Sequence, residues 1–265
     1  MRKAEKFIAK YLNGVEKKLL VRFDKWIRQV FANLPLGSSE QEILRWHLPH
    51  AGELSGILRS HFIDVFHVGQ AHGTAECLEK RRRMKVKLAD LPTIDFGTGE
   101  DFTPQQAIAI LKDRALTLAG VVEADIVAAV KKLCISYLAG TPRPKVEEEI
   151  AKIRKFNESR ASLITTTETT YAYNRARLVS YKENSVDYVQ FSAIMDSRTS
   201  QVCSSRHGLV MAMDDPRLGQ NTPPLHGRCR SVLMPLYSRY EPKEVTPERL
   251  DWGGVTALPK GWKTG

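Results

Sequence analysis

Four residues in the last third of the chain have types and spacing suited to holding a metal. Cys203, His207, His226 and Cys229 form a Cys-x3-His … His-x2-Cys set. Two thiolates and two imidazoles make a sensible tetrahedral zinc site, and four protein ligands would leave no open position, so such an ion would be structural. The same two cysteines allow a second arrangement, in which Cys203 and Cys229 are merely adjacent or become disulfide-bonded in an oxidising environment. A second group carries acid–base chemistry: Glu168, Asp196, Thr199, His226 and Arg230. Two carboxylates and a histidine can act as general acid and base. No nucleophile motif or phosphate loop accompanies them, and the preferred expectation is a buried polar network that ties helix, turn and sheet together. A third feature is the densest cationic run, residues 80–87, with Arg81, Arg82, Arg83, Lys85 and Lys87. Several cations on one short stretch can displace counterions from a nucleic acid, and can equally form a solvated helix end.

These residues need elements to position them. In the first third, apolar residues recur at three- and four-residue steps from Phe7 to Phe31. That spacing predicts one helix, or two with a bend near Gly14, with Lys3, Lys6, Lys10, Lys17, Lys25 and Arg28 opposite. Ser38 or Ser39 is placed to cap a second helix with Glu42 in its first turn, and further helix follows Pro49. Residues 89–101, with Pro92, Gly97 and Gly99, read as a linker. Thr103 and Pro104 open a helix to about Gly120, and a second holds Val122 to Tyr137. A third has Glu147, Glu148 and Glu149 at its start, and a longer one spans residues 158–182. The texture then changes to short β-rich runs at residues 188–194, 209–213 and 231–234. The fold class expected is α+β, a mainly helical N-terminal region followed by helices and a small antiparallel sheet. The division expected is 1–100 helical with the basic segment and linker, 101–236 helix-plus-sheet, and 237–265 an extended tail with Trp252 and Trp262 as anchors.

Composition narrows the function classes. The chain has 265 residues, 42% hydrophobic, with a formal net charge of +10. That charge favours polyanionic partners and says nothing about fold. No apolar run approaches the length of a membrane span. The basic N-terminus is not followed by the uninterrupted apolar stretch of a signal peptide, so a cytoplasmic place of work is expected. Four cysteines are too sparse for a disulfide scaffold.

Three ordered segments resemble a known family. The first is residues 160–170, with Thr167 and Glu168, followed by Ala172, Asn174 and Arg175. The second runs from Phe191 to Asp196, then Arg198, Thr199, Ser200, Cys203, His207 and Gly208. The third is Thr222-Pro223-Pro224-Leu225-His226, then Cys229-Arg230-Ser231. Together they are similar to the phage Mu protein F-like family of head morphogenesis, or minor head, proteins, over roughly residues 105–236. The resemblance implies a non-enzymatic virion protein, incorporated in the prohead near the portal protein with other head components and contacting DNA. It would be assembled in the host cytoplasm. Relatives often carry cysteines where this chain has Ser200 and Ser231. Beside this reading stand a DNA-binding module without a virion role and a metal-dependent nuclease built on Glu168, Asp196 and His226.

Overall fold

The computed structural model describes residues 3–87, 89 and 103–237. Five helices come first, with two short ones and three strands following: α1 Lys3–Ala32, α2 Glu40–Arg45, α3 Glu53–Met84, α4 Pro104–Leu138, α5 Arg143–Glu183, β1 Tyr188–Ser192, α6 Gln201–Ser204, β2 Val210–Ala212, α7 Leu218–Asn221 and β3 Val232–Leu236. This is the mainly helical α+β arrangement that the sequence pattern implies. Of the two alternatives for the first third, the structure has the single helix, α1, and the helices expected to stop near Gly120 and to restart near residue 158 are single continuous helices, α4 and α5. The reason on α4 is visible in its buried stripe. Leu111, Ala115, Ala119, Val122, Ile126, Val130 and Cys134 keep one face across Gly120. A mid-helix glycine costs about 1 kcal/mol, which a packed face outweighs.

The chain divides into two compact units that do not follow sequence order. One draws on Glu16–Phe62 and Ile110–Thr165. It is a helical bundle around Leu19, Phe23, Trp26, Ile27, Leu58 and Phe62, with the α4 stripe. Polar bonds tie its loops and helix ends down: Trp26 Nε1 donates to His50 O at 3.2 Å, and Lys131 Nζ to Leu44 O at 2.6 Å. Of the two candidate caps of α2 it is Ser39 that serves, in a capping box with Glu42.

The other unit draws on Met1–Val15, Ile63–Ala109 and Thr166–Gly265, so far as these are described. Its sheet has the order β2-β1-β3, all antiparallel, with Tyr188 opposite Ala212 on one side and Leu236 on the other. Val189, Phe191, Met211, Leu225 and Leu233 build the core with Cys77 from α3 and Tyr181 from α5. Helices α3 and α5 approach closely at Gly69 and Gly73. A Cβ at Gly69 would lie 2.8 Å from Ala176 Cβ, and one at Gly73 2.9 Å from Ser180 Cβ. The linker at residues 89–101 and the tail beyond Tyr237, with Trp252 and Trp262, lie outside the described residues apart from residue 89. Among the described residues no helix is long and apolar enough to cross a membrane.

Candidate functional site

The site is built on α5, whose middle carries the unusual run Thr165-Thr166-Thr167-Glu168-Thr169-Thr170. Small polar residues weaken a helix interior unless their groups find partners. Here one face does. Thr167 Oγ1 accepts from Arg228 N at 2.9 Å, and Thr170 Oγ1 donates to Cys229 O at 2.6 Å. One turn on, Asn174 Nδ2 donates to Ser231 O at 3.2 Å while its Oδ1 accepts from Leu233 N at 3.1 Å. Arg177 then donates to Leu233 O, at 3.1 Å from Nη2. Residues spaced i, i+3, i+7 and i+10 thus fasten the backbone of residues 228–233 along the helix. Arg228 itself adopts φ 61°, which curls the loop between His226 and Cys229.

That curl brings three ligand atoms together. Cys203 Sγ lies 3.1 Å from His226 Nε2 and 3.6 Å from Cys229 Sγ. Both cysteines are free and buried, with their sulfurs side by side. Ser200 Oγ sits 2.7 Å from His226 Nε2 and also accepts from Cys203 N, capping α6. The hydrogen bond from Cys229 is the largest influence on Cys203, and with those of His226, Ser231 and Ser200 it pulls the thiol down to about 4 against the effect of burial. The bond to Cys203, together with burial, pushes Cys229 up. His226 is raised, chiefly by its bond to Cys203. Of the two thiols, Cys203 is therefore the more acidic, and the His226 ring lies beside it.

His207 corrects the expected ligand set. It is exposed on the turn after α6, and its Nδ1 accepts the backbone N–H of Ala193 at 3.1 Å. The residues whose ligand atoms converge are Cys203, His226 and Cys229. Sequence spacing favoured His207 because it counts residues, whereas the short α6 turns its ring back towards β1.

Of the expected polar network, the structure joins Asp196, Thr199 and Arg230. Arg230 clasps Asp196 with two bonds of 2.7 and 2.9 Å. Asp196 Oδ1 accepts from Arg198 N at 2.9 Å, Asp196 N donates to Thr199 Oγ1 at 2.8 Å, and that hydroxyl donates to Ile194 O. The Arg230 bond and then the Arg198 backbone hold the Asp196 carboxyl well below the usual carboxylate range. His226 belongs with the thiols instead. Glu168 is wholly buried on α5.

The basic segment is split by its helix. Arg81 is buried at 6% exposure near the end of α3, so it does not offer its charge to a polyanion as expected. Arg82, Arg83, Lys85 and Lys87 are exposed, and Arg83 pairs with Glu79. Thr170, Asn174, Arg177 and Ser200 were not singled out as site residues from the sequence. The signal available for the first three was a polar i, i+3, i+7 series inside an otherwise helical pattern.

Fold and site together define a mainly helical α+β protein whose small sheet is laced to one long helix beside a thiol–imidazole cluster. Residues 130–234 match the family model described as Phage Mu protein F like protein. Over that segment the resemblance to the phage Mu protein F-like family of head morphogenesis proteins is shown. Comparisons with curated proteins and with solved structures give no match.

Proposed function

We propose that this chain is a minor head protein of a tailed bacteriophage, built into the prohead near the portal and contacting DNA. The observation that carries the reading is the family match over residues 130–234, in which all of Thr167, Asp196 and Cys229 fall. The three motif segments serve one another in space: α5 fastens the loop that delivers His226 and Cys229 to Cys203. The net charge of +10 and the exposed Arg82, Arg83, Lys85 and Lys87 support contact with DNA. The role is structural and not catalytic. Burial of Glu168 and the engagement of Asp196 by Arg230 support this, because a hydrolase needs its carboxylates free to meet substrate.

Mass spectrometry of purified proheads and virions tests the proposal, and absence from both overturns it. Co-sedimentation with portal protein tests the location. For DNA, changing Arg82, Lys85 and Lys87 to Ala should weaken duplex binding and reduce the slope of log affinity against log salt by up to about 3, roughly one per lost phosphate contact. Arg81→Ala should leave that slope unchanged.

A further inference from the structure

Among the described residues, one group of three metal-ligating side chains converges: Cys203, His226 and Cys229, with all ligand atoms within 4.8 Å of one another. A tetrahedral zinc ion with ordinary bond lengths sets two thiolates about 3.8 Å apart and a thiolate about 3.5 Å from an imidazole nitrogen. The separations here are 3.6 Å between the sulfurs and 3.1 Å from Cys203 Sγ to His226 Nε2. For these two pairs the adjustment needed is about half an ångström or less, and the third separation is within 4.8 Å.

The surroundings are arranged for the same purpose. His226 Nδ1 donates to Gly227 O at 2.8 Å, which leaves Nε2 as the ring atom facing the sulfurs. This is the outer hydrogen bond that fixes tautomer and orientation in metal-binding histidines. Two soft sulfurs and an imidazole select zinc over magnesium or calcium, which want oxygen.

We propose that Cys203, His226 and Cys229 hold a single zinc(II) ion, with the Ser200 hydroxyl facing its fourth coordination position. Zinc is ligated by thiolates and a neutral imidazole, so protons carried by these groups pass to solvent as it binds. It staples α6 to the loop that α5 fastens through Thr167 and Thr170, so it locks the sheet's last strand in register. The inference is independent of the virion role.

Elemental analysis of the full chain, purified without chelators from zinc-supplemented culture, should find about one zinc per chain. Cobalt(II) in its place should give thiolate-to-metal charge-transfer absorption and the visible bands of a tetrahedral ion. Cys203→Ser and Cys229→Ser should each lose the metal, and His207→Ala should keep it. Ser200→Cys adds a third thiolate without removing a ligand, so it remains informative if the cysteine variants do not fold. Its charge-transfer absorption per cobalt should rise about 1.5-fold, as three sulfurs replace two. A metal-free native chain with both thiols titrating freely overturns the proposal. So does a Cys203–Cys229 disulfide in the native mass, or a Ser200→Cys cobalt spectrum identical to that of the unaltered chain.

Discussion

Two buried polar clusters flank the same strand and solve opposite problems. Around Arg177 the chain buries a cation and supplies its own acceptors. The guanidinium is 1% exposed, bonds Glu76 at 2.5 Å and Leu233 O, and lies 5.4 Å from the ring centres of both Tyr173 and Tyr181. Burial opposes its charge, and the Glu76 carboxylate together with the faces of Tyr181 and Tyr173 compensates it. Around Cys203 the chain buries lone pairs instead: two sulfurs and an imidazole nitrogen that converge on one point. The first cluster is complete within the chain. The second is complete only with protons or an ion. A buried group's needs therefore separate a cluster that fixes structure from one that receives a ligand.

The largest break in this comparison should come from Arg177→Ala. Removing one partner of a buried pair leaves Glu76 uncompensated and should lower unfolding free energy by about 3–5 kcal/mol in a denaturant titration. A loss under about 1 kcal/mol would mean the pair is not the closed structural unit drawn here. Next in size is metal removal. If zinc is held with free ion about 100-fold above its Kd, stripping it should cost about 2.7 kcal/mol, with the Arg177 cluster unchanged. Gly69→Ala should cost about 1–3 kcal/mol, because its Cβ meets Ala176 and the Tyr173 carbonyl at the α3–α5 approach. Smaller again are two helix caps. Ser39→Ala and Ser200→Ala should each cost about 1 kcal/mol by thermal or chemical unfolding, and only Ser200→Ala should alter cobalt absorption.

The last prediction concerns pH. Asp196 is held below its unfolded value, so its contribution is present above the ordinary carboxylate range, near about pH 4, and is lost as pH falls below it. Asp196→Asn should flatten the acid side of a stability-against-pH curve and leave neutral pH nearly unaffected apart from the lost Arg230 bond. An unchanged acid limb would show that the exposed Asp196–Arg230 clasp carries no linkage.

The legible parts of the sequence were those written in local chemistry. Ser38 or Ser39 as a cap, Thr103 with Pro104, and the three β-rich runs all gave their elements because capping and alternation act over a few residues. Gly120 misled for the same reason: its local penalty is real, but the packed stripe on α4 overrides it. At the site, Cys203, His226 and Cys229 were legible as metal-ligating types. Exchanging His207 for a position facing Ser200 was not, since that depends on how α6 turns. Arg177 and Glu76 are 101 residues apart, and nothing local marks them as a pair.

That separation bears on how the protein can be cut. The matched segment begins at residue 130, yet its sheet packs on Cys77, and its buried arginine is neutralised by Glu76. A fragment holding only residues 130–234 would keep every family motif and lack the helix that completes them. Excised alone, it would present an unneutralised charge and a bare apolar face. During synthesis, too, the sheet cannot close until a helix made long before is there to receive it. The border that homology draws along the chain is not a border at which the molecule comes apart.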